Sequence, residues 1–382
     1  MTPEEIELLS ELTIVIPTCN RPLELERSIE YWRDTPVTVH IVDGSDKPWF
    51  PIGSESSCPF ITYHHLPSKH GEDWLDNYVR RLKFGADHSK TKYSALCGSD
   101  DTFSVAGLSS LLRLLDNDSE IDAVVGQTLG FYPHESAVKW WLRYGSASVD
   151  NQFSRDSDAL VRLKRSQLRL YYCVAKTDLW KKRIQIAERH TWLGDRFETL
   201  FQDLGTAMFR AKAINHIVWF RFKTVIHPYE ATHVYMREWA GRQENSREVL
   251  LYSDILTEAV LDVTPGLDRQ KVKNEILKFV NSHPETRGRF VRLRRMRNAV
   301  LVRLFSRLHE STVNLLPYYF HRIVAQNFIP KNIRDAISQK TILNKFLPRL
   351  TETGIHFDPI ELMKLETLWL MPREELRLRA DI

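Results

Sequence analysis

The chain has 382 residues, a formal net charge of +4, and 43% hydrophobic and 27% charged residues. This is the composition of a globular protein, with length for about two to three domains. The small net charge excludes a strongly basic protein, and no other feature points to nucleic acid, so we expect no nucleic-acid partner.

The sequence lacks the marks of export or membrane insertion. Residues Met1–Glu11 are acidic, whereas a secretory signal peptide is basic and then apolar. No uninterrupted apolar run is long enough to span a bilayer. The four cysteines form no C-x-x-C pair, which favours a reducing compartment and argues against a zinc knuckle. We therefore expect a cytoplasmic protein.

Strands and helices alternate along the first third of the chain. Short apolar, β-branched runs predict five strands, at Leu12–Pro17, Val37–Val42, Phe60–His64, Tyr93–Cys97 and Ile121–Val125. Helical spacing of apolar residues predicts helices between them, at Leu23–Arg33, Glu72–Leu82 and Val105–Leu115. This alternation predicts an α/β fold with a mostly parallel, doubly wound central sheet.

The rest of the chain reads mainly as helix. We predict helices at Lys139–Tyr144, Ala159–Tyr172, Lys176–Ala187 and Arg196–Arg210, and a strand at His216–Phe222. Beyond Arg237 no further strong strand is visible, so we place a domain boundary near Trp239–Glu244. The expected domains are 1–240, with halves of about 1–125 and 126–240, and an α-helical domain over 241–382.

Two stretches of the C-terminal part are distinctive. The segment from Thr286 to His309 has no acidic residue and has eight arginines interleaved with apolar residues, namely Arg287, Arg289, Arg292, Arg294, Arg295, Arg297, Arg303 and Arg307. This basic amphipathic helix is either the solvated face of a helix bundle or a site of attachment to an anionic membrane surface. Further on, Asp358, Pro359 and Glu361 predict the start of a last helix that runs through Leu370.

Polar residues follow three of the predicted strands. The first strand ends in VIPTCNRP, the second in VDGSD, and the strand at Tyr93–Cys97 in GSDD, with Asp100 and Asp101 adjacent. Ligands of open α/β sheets bind beyond the carboxyl ends of strands. Two neighbouring carboxylates there need a cation or a polyhydroxy partner to offset their repulsion. The alternative is a set of ordinary polar turns.

These three motifs, in this order, resemble the inverting GT-A nucleotide-sugar glycosyltransferases of the family-2 type. The resemblance covers Leu12–Phe103, is weaker to about Tyr235, and is absent beyond. It implies a Rossmann-like GT-A domain that transfers a sugar from a nucleotide sugar to a glycan or lipid-linked acceptor, in the synthesis of a surface polysaccharide. The basic helix would then hold the enzyme at the inner face of the membrane.

The resemblance also implies roles for residues at the strand ends. Pro17, Thr18 and Arg21 would hold the nucleotide, and Asp43 would accept hydrogen bonds from its base. Asp100, preceded by Ser99, would lie near the ribose. Asp101 would bind a divalent metal ion, Mn²⁺ or Mg²⁺, which suits carboxylate ligands.

The remaining expected site residues lie on later elements. In the helix Glu72–Leu82, the donor-binding candidates are Asn77, Arg81 and, as an alternative, Arg80. The general base for an inverting transfer is sought around the helix Arg196–Arg210, where the candidates are Asp195, Glu198 and Asp203, and Glu198 is preferred. His227 is the candidate to complete the metal shell, with His233 as the alternative.

Two rival functions remain open for the same fold. One is a nucleotidyltransferase, although such enzymes usually have a glycine-rich loop after the first strand and Pro17–Pro22 contains no glycine. The other is a non-catalytic scaffold that binds a nucleotide without turnover.

Overall fold

The structure is a computed structural model. It describes residues 1–48, 58–134, 137–142, 152–166, 168–222, 247–281, 342–352, 354–372 and 374–376. The strands are β1 Leu12–Thr18, β2 Thr38–Asp43, β3 Ile61–His65, β4 Tyr93–Leu96, β5 Thr102–Phe103, β6 Ala123–His134, β7 Ala137–Leu142, β8 Val174–Lys176 and β9 Ala211–Phe222.

The described helices surround this sheet. They are α1 Pro3–Ser10, α2 Pro22–Trp32, α3 Trp74–His88, α4 Val105–Asn117, α5 Ala159–Arg165, α6 Thr177–Ala187, α7 Phe197–Met208, α8 Arg247–Val263, α9 Arg269–Asn281, α10 Leu343–Glu352 and α11 Pro359–Leu370. Two 3-10 segments, Gln152–Arg155 and Glu188–Arg196, precede α5 and α7.

The nine strands form one sheet in the order β3-β2-β1-β4-β8-β6-β9-β5, with β7 paired to β6. The first four strands of this order are parallel to one another, and β6 is parallel to β9. Strand β8 joins the two halves through antiparallel pairings with both β4 and β6. The α/β fold class expected from the sequence is confirmed. The parallel half places the ends of β1, β2 and β4 on one edge of the sheet.

Two hydrophobic cores lie on the two faces of the sheet. Along β1, Ile14 and Ile16 belong to one core and Val15 to the other, as the alternation of side chains on a strand requires. The first core includes side chains of α2, α4 and α11, and the second includes side chains of α3, α6 and α7. All seven residues of β1 are buried, which explains why five of them are apolar.

The described C-terminal helices pack onto these same two cores. Leu256 of α8 and Ile276 of α9 are fully buried in the core that contains α7. On the other face, the Trp369 ring of α11 stacks on Phe222 at the end of β9, with ring centroids 4.1 Å apart. The helical character expected for this part is thus present in its described segments. The domain division near 240 stays a prediction.

One predicted helix is wrong. Of the segment predicted as a helix at Lys139–Tyr144, the described residues Lys139–Leu142 belong to the strand β7, which pairs antiparallel with β6. Its side chains alternate between buried and half-buried through Val138 and Trp140, and β-branched and aromatic residues favour such a pleated surface. The six-residue window was too short to separate the two periodicities.

A second predicted helix is too long. The helix expected at Ala159–Tyr172 ends at Arg165, and residues 168–173 form no helix or strand before β8, which was not predicted. Gln202 of α7 holds the irregular segment, because its Oε1 accepts a hydrogen bond from Leu170 N at 2.7 Å and its Nε2 donates to Leu168 O at 2.9 Å. Contacts to a distant helix therefore replace the local helical bonds.

Candidate active site

A cavity of about 390 Å³ opens at the carboxyl ends of β1 and β4. The first two turns of α3 and the beginning of α7 complete it. Its lining consists of Pro17, Thr18, Cys19, Arg21, Ser68, Trp74, Leu75, Asn77, Tyr78, Arg81, Gly98, Ser99, Asp100, Tyr171, Tyr172, Gly194, Phe197 and Glu198. This is the edge of a parallel sheet at which ligands bind in α/β proteins.

The cavity brings together eight of the residues predicted from the sequence. These are Pro17, Thr18, Arg21, Asn77, Arg81, Ser99, Asp100 and Glu198. Asp43 and Asp101 lie outside the lining and are buried, with exposures of 1% and 7%. His227, its alternative His233, the basic helix at 287–307 and the boundary near 239–244 lie outside the described residues.

Arg21 and Asp100 form an ion pair between the turn after β1 and the turn after β4. Arg21 Nη1 lies 2.7 Å from Asp100 Oδ2. Asn20 shapes the first of these turns, because its φ of 54° lies in the left-handed region that asparagine tolerates. The backbone N–H of Asn20 donates to Ser45 Oγ at 2.8 Å. Both members of the pair are partly exposed, so a bound anion can exchange for Asp100 as the partner of Arg21.

Asp43 supports the loop that follows β2. Its Oδ1 accepts hydrogen bonds from the Ser45 amide at 2.9 Å and the Ser45 hydroxyl at 2.6 Å. Its Oδ2 accepts from the Tyr63 hydroxyl at 2.7 Å. Three of the bonds that a carboxylate can accept are therefore made within the protein, and they fix the loop at Gly44 and Ser45.

Arg81 is a buried guanidinium on the cavity wall, with an exposure of 5%. Its Nη1 donates to Ser68 Oγ at 3.2 Å, its Nε has no hydrogen-bond partner, and no carboxylate of the described residues lies within ion-pairing distance. Burial lowers its pKa. A Cβ on Gly44 would lie 2.1 Å from Arg81 Nη1, so the glycine makes room for the guanidinium. A buried cation with open donor capacity is suited to an anionic ligand.

Asn77 and Arg80 organise the loop before α3. Asn77 Oδ1 accepts from the Lys69 amide at 2.9 Å, and its Nδ2 donates to Asp73 O at 3.1 Å. These bonds hold the loop that carries Ser68 into the cavity. Arg80 is turned to Pro67 O, 2.6 Å from its Nη2, and does not line the cavity. Of the two neighbouring arginines, Arg81 is therefore the one at the site.

The two acids after β4 surround Gly98. A Cβ there would lie 3.1 Å from Asp100 Oδ1 and 3.4 Å from Asp101 Oδ2, so both carboxylates face the small space above the glycine. Asp101 Oδ1 also accepts from the Phe222 amide at 3.0 Å, which ties it to the end of β9. The described residues hold no cluster of three or more His, Cys, Asp or Glu side chains placed to bind a metal ion. The two carboxylates nevertheless offer oxygens from two adjacent residues to a divalent ion.

Glu198 lies in the first turn of α7 and lines the cavity together with the half-buried Tyr78, Tyr171 and Tyr172. Burial raises the pKa of Tyr78 to about 12 and the pKa of Tyr172 well above its usual value. The negative charges of Glu198 and Asp101 raise the pKa of both tyrosines further, because a nearby carboxylate disfavours a phenolate. The alternative base Asp203 accepts from the Tyr252 hydroxyl at 2.7 Å and does not line the cavity.

Several lining residues were not predicted. Tyr171 and Tyr172 lie in the segment expected to be helical, Ser68 lies in a loop between the recognised motifs, and Cys19 lies inside the VIPTCNRP motif but was assigned no role. Tyr78 shares the face of α3 that carries Leu75 and Arg81, so helical spacing from Arg81 was a usable signal. The two consecutive tyrosines gave no such signal, because Gln202 and the buried Arg183, which donates to Leu170 O at 2.7 Å, set their position.

No protein-family model and no curated protein sequence matches the chain. Among solved structures, the chain is similar to S. aureus TarS 1-349, with 13% identity, a TM-score of 0.45, and coverage of 96% of this chain and 91% of that chain. The complex of TarS 1-349 with UDP gives 12% identity, a TM-score of 0.46 and coverage of 96% and 91%. The complex of TarS 1-349 with UDP-GlcNAc gives 13% identity, a TM-score of 0.46, and coverage of 96% of this chain and 92% of that chain. This similarity lies in the fold and assigns no activity.

No helix among the described residues is both long and apolar enough to cross a bilayer.

Proposed function

We propose that this protein is a glycosyltransferase that moves a sugar from a nucleotide-sugar donor to a glycan or lipid-linked acceptor. The observation that carries this proposal is the buried Arg81 guanidinium, which lines the cavity and has no carboxylate partner among the described residues. A diphosphate would supply the negatively charged partner that Arg81 does not have among the described residues. The planar guanidinium can also form two parallel hydrogen bonds to phosphate oxygens.

The donor would lie along the edge formed by β1 and β4. Arg21 and Arg81 would meet its diphosphate, and Asp100 would accept hydrogen bonds from its ribose hydroxyls. Pro17, Thr18 and Ser99 also line this cavity. Asp43 would act mainly through the loop that it supports, because its oxygens bond Ser45 and Tyr63.

Asp100 and Asp101 fit a divalent ion, since both carboxylates face the space above Gly98 and oxygen ligands suit Mg²⁺ or Mn²⁺. We propose these two as its protein ligands, with His227 as a further candidate from the sequence. Such an ion, when bound, would stabilise negative charge on the departing nucleotide.

Transfer would proceed with inversion at the anomeric carbon. The hydroxyl oxygen of the acceptor would attack that carbon, and Glu198 would take the proton that this hydroxyl loses. The bond from the anomeric carbon to the phosphate oxygen breaks, and the nucleoside diphosphate leaves with the electron pair. Glu198 lies in the first turn of α7, near the positive end of the helix dipole.

The products released from nucleotide sugars test this function. Incubation with a panel of nucleotide sugars and Mn²⁺ should release a nucleoside diphosphate, and Glu198→Gln should slow the release by on the order of 100-fold or more. Asp203→Asn, the same change at a carboxylate of α7 outside the cavity, should not. Release of pyrophosphate from nucleoside triphosphates would favour a nucleotidyltransferase instead, and binding without turnover would favour a scaffold.

We also propose that the basic segment at 287–307 attaches the protein to an anionic membrane surface, on the sequence evidence of its eight arginines. Flotation with anionic liposomes should succeed for the wild type and fail when these arginines are changed to glutamine. Unchanged flotation of the variant would contradict membrane attachment through these arginines.

A further inference from the structure

One of the four cysteines, Cys19, lines the cavity between the end of β1 and α3. None of the four is joined in a disulfide bond. Cys19 is half-buried, whereas Cys58, Cys97 and Cys173 have exposures of 3%, 0% and 0%. A reagent dissolved in water therefore reaches Cys19 through the cavity mouth while the protein stays folded, and it reaches the other three only when the chain opens.

The surroundings of Cys19 are polar and carry a positive charge. Its Sγ lies 3.4 Å from Gly44 O and 4.0 Å from Ser68 Oγ. Ser68 Oγ accepts a hydrogen bond from Arg81 Nη1 at 3.2 Å, so the Ser68 side chain lies between the Cys19 sulfur and the guanidinium. Arg81 is 5% exposed and its Nε has no hydrogen-bond partner, so it can accept an anionic neighbour. Reactive cysteines occur in such electropositive, partly exposed surroundings.

The buried cysteines have the opposite environment. Burial raises the pKa of the Cys97 thiol well above its usual value, and the carboxylates of Asp101 and Asp100 raise it further. Burial also raises the pKa of Cys173. These two side chains therefore remain neutral thiols, which are weak nucleophiles.

We propose that Cys19 is a modification site for small oxidants and electrophiles that enter the cavity. With hydrogen peroxide, the Cys19 thiolate attacks one peroxide oxygen, an S–O bond forms and the O–O bond breaks. The leaving hydroxide takes a proton to become water. The sulfur is oxidised by two electrons to a sulfenic acid and the peroxide is reduced. A small thiol such as glutathione then gives a mixed disulfide and water, and a second thiol molecule restores Cys19.

Modification would close the site to a donor, a consequence that rests on the proposed function. Cys19 directly follows Thr18 and shares the cavity with Arg21 and Arg81. Atoms added to its sulfur occupy the space beside the Arg81 guanidinium, where the diphosphate would lie. A mixed disulfide with glutathione adds negative charge at that same place.

Labelling of the folded protein tests the site directly. Wild type, Cys19→Ser and Cys58→Ser are treated with N-ethylmaleimide, or with hydrogen peroxide followed by dimedone, and adducts are located by mass spectrometry. We expect a single adduct on Cys19 in the wild type and in Cys58→Ser, and none in Cys19→Ser. Cys19 should react on the order of tenfold faster or more than each other cysteine. Arg81→Met should slow its labelling at neutral pH.

Labelling of Cys58, Cys97 or Cys173 as fast as Cys19, or no labelling before unfolding, would overturn the proposal. Titration with UDP and GDP then separates the site from its consequence. The adduct should abolish nucleotide binding in the wild type, while treated Cys19→Ser binds as its own untreated sample does. If the unlabelled protein binds no nucleotide, the proposed function fails, and the labelling rates still decide the modification site.

Discussion

The guanidinium of Arg21 lies 2.7 Å from the carboxylate of Asp100 and joins the turn after β1 to the turn after β4. These are the turns of the VIPTCNRP and GSDD motifs. Both side chains are partly exposed, and exposed ion pairs contribute only about 0–1 kcal/mol to stability. The pair therefore matters chiefly for what binds at the cavity mouth.

Replacement of Arg21 by alanine should weaken nucleoside diphosphate binding with little loss of stability. A charge-assisted hydrogen bond contributes about 1.5–3 kcal/mol, so we expect the dissociation constant to rise by roughly tenfold or more. Isothermal titration calorimetry measures this change. Arg113→Ala is the matched control, since Arg113 pairs with Glu4 at 3.1 Å on an exposed surface outside the cavity. Equal affinities for the two variants would contradict the assignment of Arg21.

Gly44→Ala should weaken nucleotide binding through Arg81. The added Cβ would lie 2.1 Å from Arg81 Nη1, so the guanidinium must move from its position on the cavity wall. We expect a dissociation constant about tenfold higher than that of the wild type, and no further effect of Gly44→Ala in an Arg81→Met background. A double-mutant cycle by calorimetry measures the coupling. Additive effects would show that Gly44 acts by another route.

Glu361 joins α11 to the segment that follows the acidic pair. Its carboxylate accepts from the Tyr31 hydroxyl at 2.6 Å, the Ser104 hydroxyl at 2.5 Å and the Val105 amide. Glu361→Ala leaves the Ser104 hydroxyl and the Val105 amide without this acceptor, while the Tyr31 hydroxyl keeps Phe103 O at 2.9 Å, so we expect the free energy of unfolding to fall by about 2–4 kcal/mol.

Urea unfolding of Glu361→Ala, Tyr31→Phe and the double variant tests this network. Tyr31→Phe should lower the free energy of unfolding by less than Glu361→Ala does. The double variant should lower it by less than the sum of the two single losses, because the two side chains share a hydrogen bond. Glu352→Ala, at an exposed position of α10, should change stability by less than about 0.5 kcal/mol. A loss for Glu361→Ala no larger than this control would contradict the role of the network.

Ionisation of Asp203 should lower the free energy of unfolding as the pH rises from acidic to neutral values. Burial raises its pKa from the usual 3.8 to about 6. Because the folded value is the higher one, the contribution is complete below pH 3.8 and is lost as the pH rises through about 6. Ionisation should cost on the order of 1 kcal/mol between about pH 5 and pH 8.

Asp203→Asn removes this ionisation, so its unfolding free energy should fall less over the same range. Urea unfolding at the two pH values measures the difference. Asp254→Asn, a change at the Asp254–Lys273 ion pair of the α8 surface, should keep the wild-type pH dependence. If Asp203→Asn loses as much stability as the wild type, Asp203 does not titrate as stated.

The parallel half of the sheet was predictable because its signals are local. Leu12–Thr18 is mostly apolar and is buried throughout, and the polar turn after it must lie at the carboxyl edge of the sheet. Asp100 and Arg21 could thus be assigned to one site before their contact was known. The cap at Asp358, which accepts from the Ile360 amide at 2.8 Å, was equally local and the predicted helix Pro359–Leu370 is confirmed.

The features missed by the sequence depend on contacts between distant residues. Tyr171 and Tyr172 enter the cavity because Gln202 and Arg183 hold the chain before them, and no periodicity records such bonds. Glu361 occupied the third position of a helix, where it indicates a capping box, yet its side chain binds α4 and Tyr31. Whether a polar residue serves its own helix or a neighbour is decided by packing, which the sequence does not show locally.

The most direct test of a nucleotide-sugar site at the Arg81 cavity is a calorimetric titration with nucleoside diphosphates in the presence of Mn²⁺. We predict that at least one of UDP, GDP and TDP binds the wild type with a stoichiometry of about one, and that Arg81→Met weakens this binding by on the order of tenfold or more. Arg113→Ala should bind as the wild type does. Absence of binding by all three nucleotides, or equal binding by Arg81→Met, would contradict the proposed site.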